Sequence, residues 1–320
     1  MRIPILLVTL CCGGIADAAQ TDSSFPVKPI RILVGFTPGG GPDITARHIA
    51  QKLTEAWRQQ VIVDNRPGAG GTVAAATAAN ANPDGYTLLS VSSAHAVAPA
   101  IYARLPYDPR DLAGISLTAT SKYVLIVAPS SPIRSVKDLI ATARAKPAQL
   151  NFSSAGMGSG THFAGEQFKT MAAIDVTHVP YKGIPEALTD AMTGRVQFFM
   201  SPIANAVALV KDGRVRALGV SSKSRDPLLP DLPTIAEAGV PGYESILWFG
   251  LLAPARTPPA LVAKLNGEVR RILNEAETRT RWIPIGLEPR PTAPAEFDKL
   301  IASDTATFSK LARAGNIKAE

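Results

Sequence analysis

The chain has 320 residues, of which 46% are hydrophobic, 18% are charged and 6% are aromatic. This composition supplies enough apolar side chains for folded cores, and it excludes intrinsic disorder and a collagen-like repeat. The formal net charge is +7, but the Lys and Arg residues are scattered and do not form a run. The excess of positive charge therefore does not indicate nucleic-acid binding, and the length allows two domains.

The N-terminus has the pattern of a secretory signal peptide. Arg2 precedes an apolar stretch over 3–12, and Ala16-Asp17-Ala18 then provides small residues for cleavage. The apolar stretch is too short for a membrane anchor, because a helix that crosses a bilayer needs ~20 residues. We predict that residues 1–19 are removed and that the mature protein is periplasmic. Both cysteines lie in the removed segment, so the mature chain has no thiol.

Downstream of this segment, short β-rich runs alternate with longer helical patterns, which predicts an α/β fold with mainly parallel strands. The first strand, over 30–36, is apolar at nearly every position, as expected for a strand that is covered on both faces. Prolines and glycines over 38–42 interrupt it, and helical spacing begins at Asp43. The series continues with a strand over 61–63, a helix over 70–79 and a strand over 86–91.

A second α/β series follows the loop over 105–109. It begins with a strand over 123–128 and a helix over 135–145. Further predicted strands lie near 151–153, 176–179, 196–200 and 216–220, with helices that begin near 159, 183 and 202. A strand over 248–253 and two amphipathic helices, over 258–273 and 294–311, complete the chain.

Three patterns suggest a cofactor, catalytic or metal site, and each is incomplete. The segment over 68–73 begins like a dinucleotide fingerprint, but Val73 takes the third glycine position. Ser154 and Ser159 lack the glycine that precedes a hydrolase nucleophile by two residues. The four histidines show no metal-ligand spacing. We predict no cofactor and no metal, and the enzyme alternative is a hydrolase or transferase that uses Ser154 or Ser159 with His162.

Two turns rich in glycine and hydroxyl residues, over 37–43 and 153–162, each connect a predicted strand to a predicted helix. Free N–H groups at a helix start, together with the positive end of the helix dipole, favour an anion. The pattern alone leaves two interpretations open, anion binding or simple strand-to-helix turns. The occurrence of one such turn in each series favours a ligand site, because ligands of open α/β sheets bind at the carboxyl ends of strands.

Several ordered motifs resemble those of the Bug receptors, the periplasmic substrate-binding components of tripartite tricarboxylate transporters. The resemblance extends over about 25–314, essentially the whole mature chain. The motifs that carry it are Pro29-Ile30-Arg31, Phe36-Thr37-Pro38-Gly39-Gly40 with Asp43 and Ala46-Arg47, Asp64-Asn65-Arg66-Pro67-Gly68-Ala69-Gly70-Gly71, Pro83-Asp84-Gly85-Tyr86-Thr87-Leu88, Leu105-Pro106-Tyr107-Asp108, Ser153-Ser154-Ala155-Gly156, His178-Val179-Pro180-Tyr181-Lys182-Gly183 and Pro233-Thr234-Ile235-Ala236-Glu237-Ala238-Gly239. The sequence is identified as a member of this family on these motifs.

The resemblance implies a two-lobed type II periplasmic-binding-protein fold with the ligand cleft between the lobes. Lobe 1 is expected over 25–121 and 248–320, and lobe 2 over 122–247, with crossing strands near 118–123 and 245–249. The resemblance also implies a monomeric receptor that is not an enzyme. Such a receptor binds a small organic acid and presents it to membrane transport subunits or to the periplasmic domain of a sensor.

In the family, a ligand carboxylate is held by backbone N–H groups, hydroxyls and bridging waters from two loops. Carried onto this sequence with their neighbouring positions, the implied ligand-binding residues are Phe36, Thr37, Pro38, Gly39, Gly40, Asp43, Ser92, His95, Ser154, Ala155, Gly156, Gly158, Ser159, Thr161, Tyr181 and Lys182.

Some of these positions have alternative roles. Asp43 is expected to cap or anchor the first loop rather than to contact an anion. Lys182 is expected to face either the ligand or solvent, and His95 either tunes specificity or caps a helix. Met157 stands in the second loop where relatives often have a polar residue, so we expect the distal end of the ligand to be less polar.

Overall fold

The computed structural model describes residues 25–319, and the predicted signal peptide over 1–19 lies outside the described residues. The strands are β1 (Ile30–Val34), β2 (Val61–Asn65), β3 (Thr87–Ser92), β4 (Leu112–Val127), β5 (Asn151–Ser154), β6 (Thr177–Pro180), β7 (Phe198–Pro202), β8 (Arg216–Val220), β9 (Ile246–Pro254) and β10 (Glu288–Pro289). The helices are α1 (Gly41–Trp57), α2 (Thr72–Ala79), α3 (Ala94–Ile101), α4 (Val136–Ala145), α5 (Gly160–Ala172), α6 (Ile184–Thr193), α7 (Ile203–Lys211), α8 (Pro259–Asn274), α9 (Ala276–Trp282) and α10 (Pro294–Ala314).

The ten strands of the described residues belong to one sheet, with the order β2-β1-β3-β9-β4-β7-β5-β6 and with β8 and β10 paired to β4. We call β1, β2, β3, β9 and residues 112–122 of β4 the N-terminal half-sheet. The central half-sheet comprises β5 to β8 and residues 123–127 of β4. The pairs β1–β2, β1–β3, β5–β6 and β5–β7 are parallel, whereas β9 and β4 run antiparallel to their neighbours. The predicted α/β class is therefore confirmed.

The first strand is covered on both faces. Ile32 and Val34 pack in one apolar cluster with Ile49 and Leu53 of α1, whereas Leu33 packs in a second cluster with alanines of α2. This is why the strand is apolar at successive positions instead of alternating with polar residues. The small-residue helix α2 lies close to the sheet because alanine keeps its backbone near the strands.

The strand β4 is longer than predicted, since it begins at Leu112, whereas the hydrophobic pattern indicated a strand only from residue 123 and the resemblance implied a crossing near 118–123. Polar residues interrupt the hydrophobic pattern in the first part of β4, and in the structure they are hydrogen-bonded. Ser116 Oγ donates to the carbonyl of Thr292, and Ser121 Oγ donates to the carbonyl of Gly286. Lys122 Nζ lies 2.8 Å from a carboxylate oxygen of Asp226. One continuous strand of 16 residues consequently runs through both half-sheets.

The helix α3 was not predicted, whereas the starts of α4 and α5 were close to the prediction. Pro99 lies inside α3. Because proline removes one backbone hydrogen bond from a helix, its presence argues against a helix in the sequence. Ser135 caps α4 by accepting a hydrogen bond from the Asp138 amide, and Ser159 caps α5 by accepting one from the His162 amide. Serine is favoured at such positions because its hydroxyl satisfies an otherwise free N–H group.

Within the described residues, no helix combines the length and the apolar character needed to cross a membrane. The same part of the chain has no group of three His, Cys, Asp or Glu residues that is arranged to hold a metal ion.

Gly267 provides a first test of the fold. It lies inside α8, and a Cβ atom added there would have no heavy atom within 4 Å. Because glycine loses more backbone entropy than alanine on folding, Gly267→Ala should raise the free energy of unfolding by roughly 0.5–1 kcal/mol. Urea denaturation of both proteins measures this change. A loss of stability would mean that residue 267 is not in a regular, exposed helix.

Candidate functional site

A cavity of about 140 Å³ lies between the two half-sheets. Four helices begin in its wall, α1 from the N-terminal half-sheet and α5, α6 and α7 from the central one. Each of these helices follows the carboxyl end of a strand, which explains why their N-termini meet at one place. The lining residues are Phe36, Thr37, Pro38, Gly39, Gly40, Gly41, Pro42, Ser92, Ser121, Tyr123, Ala155, Ser159, Gly160, Thr161, Lys182, Gly183, Ile184, Pro185, Pro202, Ala204, Asn205, Leu247, Phe249 and Leu287.

The first wall of the cavity is the turn that leads into α1, and Asp43 holds it in place. The Asp43 carboxylate accepts hydrogen bonds from the Gly39 amide at 3.0 Å, from Asn65 Nδ2 at 2.9 Å and from Arg47 Nε at 2.9 Å. Burial acts to raise the pKa of Asp43, but the bonds from Arg47, Gly39 and Asn65 outweigh it and lower the pKa. Asp43 therefore anchors the loop, and it does not line the cavity.

The amides of Gly40 and Gly41 stand at the start of α1. Among the described residues, neither has a hydrogen-bond acceptor, because the first N–H groups of a helix have no partner within it. The positive end of the dipole of α1, which is 17 residues long, adds to the attraction of this wall for an anion.

The second wall is the start of α5. Thr161 Oγ1 accepts a hydrogen bond from the Ala155 amide at 2.9 Å and lies 3.0 Å from Ser159 Oγ. The amides of Gly160 and Thr161 have no acceptor within the described chain. This wall therefore offers free N–H groups and hydroxyls toward the first wall.

The first wall closely approaches the turn before α6 at one edge of the cavity. A Cβ atom added to Gly183, just before α6, would lie 3.3 Å from Thr37 Oγ1. The turn before α1 and the turn before α6 are thus in near contact, and a small molecule between the walls is reached by groups from both.

The charges of the wall are few. No lining residue is acidic, and Lys182 is the one cationic residue among the described residues that line the cavity. Lys182 is exposed, and much of the remaining surface is apolar, with Phe36, Leu247, Phe249 and Leu287 contributing large side chains. The arrangement suits a small anion with an apolar body that is held mainly by neutral donors.

The structure brings many of the implied ligand-binding residues to the cavity. Those in its wall are Phe36, Thr37, Pro38, Gly39, Gly40, Ser92, Ala155, Ser159, Thr161 and Lys182. Those outside the wall are Asp43, His95, Ser154, Gly156, Gly158 and Tyr181.

The residues outside the wall are engaged elsewhere. Tyr181 donates a hydrogen bond from its hydroxyl to Asp190 Oδ2 at 2.7 Å. His95 is the second residue of α3 and stacks against Tyr107 at 6.3 Å between ring centroids. Ser93, and not His95, precedes that helix as its N-cap residue. His95 lines a separate, smaller cavity that adjoins Phe36 and Ser92.

Ser154 was expected to donate a hydrogen bond to the ligand, but its hydroxyl is buried behind the second wall. Ser154 Oγ lies 2.6 Å from His178 Nε2 and accepts a hydrogen bond from the Gly156 amide at 3.1 Å. Ser154 is the last residue of β5 and is fully buried.

The geometry of the enzyme alternative is not present. His162 Nδ1 accepts a hydrogen bond from the Gly158 amide at 3.2 Å, and His162 Nε2 lies 3.8 Å from Glu166. Ser159 Oγ accepts a hydrogen bond from the His162 backbone amide. The imidazole of His162 is thus hydrogen-bonded to the loop backbone, and the described residues provide no Ser–His162 side-chain pair that would activate a nucleophile.

Met157 was expected at the distal end of the ligand site, but it lies elsewhere. It packs against the apolar cluster of Val97, Ile101 and Phe163 and does not line the cavity. The expectation that Met157 makes the distal end of the ligand site less polar is therefore not supported. Besides Phe36, the apolar surface comes from Leu247 and Phe249 of β9 and from Leu287, which the sequence motifs did not mark.

A model of the tripartite tricarboxylate transporter family receptor matches residues 45–317. The chain is 38% identical over 308 residues to a UPF0065 protein in the tcbD-tcbE intergenic region of Pseudomonas sp., covering 93% of this chain and 92% of that relative. An R. palustris protein solved with adipate is 36% identical, with a TM-score of 0.87 and coverage of 92% of this chain and 99% of the other. MatC from Rhodopseudomonas palustris, solved with bound malate, is 32% identical, with a TM-score of 0.84 and coverage of 90% and 99%.

These similarities extend over nearly the whole of both chains. They confirm the predicted two-lobed periplasmic-binding-protein fold, whereas the predicted lobe boundaries stay a prediction. They do not support the hydrolase or transferase alternative. The chain belongs to the tripartite tricarboxylate transporter receptor family.

Proposed function

We propose that this protein is a periplasmic receptor that binds one small organic acid in the cavity and presents it to the membrane subunits of a tripartite transporter. The observation that carries the proposal is the pair of opposed helix starts, whose free amides at Gly40, Gly41, Gly160 and Thr161 meet at one cavity. Similar proteins were solved with adipate and malate, both carboxylates. A carboxylate between these amides replaces the water that would otherwise solvate them.

The proposed receptor does no chemistry and returns its ligand unchanged. In support, Ser159 Oγ acts as the cap of α5, and Ser154, whose hydroxyl bonds to His178, is fully buried and does not line the cavity. Export through the segment over 1–19 and action as a monomer belong to the same proposal. So do lobe 1 over 25–121 and 248–320 and lobe 2 over 122–247, between which the cavity lies. Delivery to a sensor domain is the alternative to delivery to a transporter.

Calorimetric titration tests how the acid is held. We expect a carboxylate such as adipate or malate to bind and to raise the melting temperature, whereas the uncharged diamide of the same acid does not. Because the amides of the helix starts are the main donors, Lys182→Met should weaken binding by less than about 5-fold, which is the scale of an exposed ion pair.

Three results would contradict this proposal. Stabilisation by sugars, nucleotides or cationic amines, but by no carboxylate, would exclude an organic acid as the ligand. Loss of all binding in Lys182→Met would replace capture by neutral donors with capture by a charged clamp. Catalytic conversion of the bound acid, detected by mass spectrometry of the recovered ligand, would contradict the absence of chemistry.

A further inference from the structure

Two histidines stack on each other directly behind the second wall of the cavity. The rings of His162, on α5, and His178, on β6, are 3.9 Å apart between centroids and inclined by 19°. Phe152, on β5, packs against His178 at 4.9 Å. His162 is almost fully buried and His178 is half-buried, and neither lines the cavity.

His162 holds one glycine amide of the loop that leads into α5 directly, and His178 is linked to a second one through Ser154. His162 Nδ1 accepts the hydrogen bond of the Gly158 amide at 3.2 Å. His178 Nε2 lies 2.6 Å from Ser154 Oγ, and Ser154 Oγ accepts the hydrogen bond of the Gly156 amide at 3.1 Å. The φ angle is +114° at Gly156 and +77° at Gly158. Glycine adopts such positive values readily, whereas other residues adopt them rarely.

These contacts decide which amides of the loop are left for a ligand. The amides of Gly156 and Gly158 are drawn inward by Ser154 and His162, and that of Ala155 donates to Thr161 Oγ1. The amides of Gly160 and Thr161 are left without an acceptor in the described chain. Both residues line the cavity.

The hydrogen bonds also fix the protonation of His162. A backbone N–H group can only donate, so His162 Nδ1 must be unprotonated to accept from Gly158. Burial lowers the pKa of His162 to about 3, which agrees with a neutral ring. The neighbouring ring of His178 and the nearby ammonium of Lys169 disfavour a charge on His162 in the same way.

We infer that His162 and His178 are positioning residues of the ligand site, which hold the loop over 154–161 so that the amides of Gly160 and Thr161 point at the bound acid. The inference rests on the proposed function, since it assigns how one wall of the same site is kept in shape. The imidazoles act through the backbone and through Ser154 and do not contact the ligand.

Paired substitutions separate positioning from packing. Asparagine places an acceptor oxygen near the position of Nδ1, and glutamine places a polar atom near that of Nε2, whereas leucine fills the space without any acceptor. His162→Leu and His178→Leu should weaken adipate binding by about 10-fold or more, as should Ser154→Ala, which removes the link between His178 and Gly156. His162→Asn and His178→Gln should stay within about 3-fold of the wild type, given one retained hydrogen bond.

A purely structural role predicts the opposite order, because leucine packs better than asparagine or glutamine among Phe152 and its neighbours. Equal affinity in all variants, or stronger binding in the leucine variants than in their polar counterparts, would overturn the inference. Melting temperatures of the same proteins show how far each substitution alters packing.

The loop itself gives a readout that needs no ligand. In the ligand-free protein, the exchange of the Gly158 amide with solvent should speed up by about 10-fold or more in His162→Leu but not in His162→Asn, because only leucine removes the acceptor. Unchanged exchange in both variants would overturn the inference. If no carboxylate binds the wild type, the proposed function fails, while the exchange measurement still decides the role of the histidines.

Discussion

Gly41→Ala and Gly160→Ala are each expected to weaken binding of the acid by about 100-fold or more, since buried side chains must move to admit the methyl group. A Cβ atom on Gly41 would lie 2.1 Å from Phe249 Cζ, and one on Gly160 would lie 2.3 Å from Tyr123 Oη. Real Cβ atoms do not approach so closely. Both partners are buried and line the cavity, so each substitution either displaces a helix start or moves a ring into the space of the ligand.

Isothermal titration with adipate or with the acid that binds best measures the effect. Gly40→Ala is the matched comparison, because its Cβ atom would make only ordinary contacts at 3.8 Å. It should weaken binding much less than Gly41→Ala, although the residues are adjacent. Gly39→Ala has free space around the Cβ atom but a φ of +87°. It should therefore lower the free energy of unfolding more than it lowers the affinity for the acid.

Gly267→Ala, far from the cavity on α8, controls for the general effect of adding a methyl group to the protein. If Gly41→Ala or Gly160→Ala bound the acid like the wild type, the helix starts would not be packed as the structure shows. The two variants should also lose roughly 1–3 kcal/mol of stability, the usual cost of overpacking.

Acidification from pH 7 toward pH 5 is expected to destabilise the folded protein strongly. Burial lowers the pKa of His95 to about 4, of His162 to about 3 and of His178 to about 4, and it also lowers the pKa of His48. In the unfolded chain each imidazole binds a proton at about pH 6.5. Between these values the unfolded state holds more protons, so the free energy of unfolding falls as the pH falls.

The contribution of these neutral histidines to the free energy of unfolding is fully present above about pH 6.5 and is lost progressively toward pH 4. Each such group contributes roughly 1.4 kcal/mol per pH unit, so His95, His162 and His178 together should lower the free energy of unfolding by about 4 kcal/mol from pH 6 to pH 5. Burial raises the pKa of Glu166 and Asp304, and these carboxyls offset part of the loss because the folded state retains their protons.

Urea denaturation of the ligand-free protein at several pH values between 7.5 and 5 measures this dependence. A variant such as His95→Gln should show a pH slope that is smaller by roughly 1.4 kcal/mol per pH unit, whatever its absolute stability, because it lacks one titrating group. A free energy of unfolding that did not change between pH 7 and pH 5 would mean that the imidazoles are solvated or already charged in the folded protein.

Local patterns were sufficient for much of the fold and for part of the site. The strand and helix of the first βα unit, the turn between them and the serine caps Ser135 and Ser159 follow from hydrophobic spacing and hydrogen-bonding side chains within a few residues. The continuous strand β4 did not follow, because its polar residues are hydrogen-bonded to distant segments. The helix α3 did not follow, because Pro99 lies inside it and interrupts its pattern.

The sequence by itself determined the α/β class, the two glycine-rich and hydroxyl-rich turns and the family, since all three depend on residues adjacent in the chain. Only the tertiary structure decided which groups form the cavity. It directs Ser154 toward His178 and away from the cavity, and it brings Tyr123 and Phe249 into the wall from strands of different parts of the chain. The physical reason is that the candidate donors are backbone N–H groups, which every residue but proline has. Their availability depends on whether another part of the fold accepts their hydrogen bonds, and no pattern of side chains along the sequence records that.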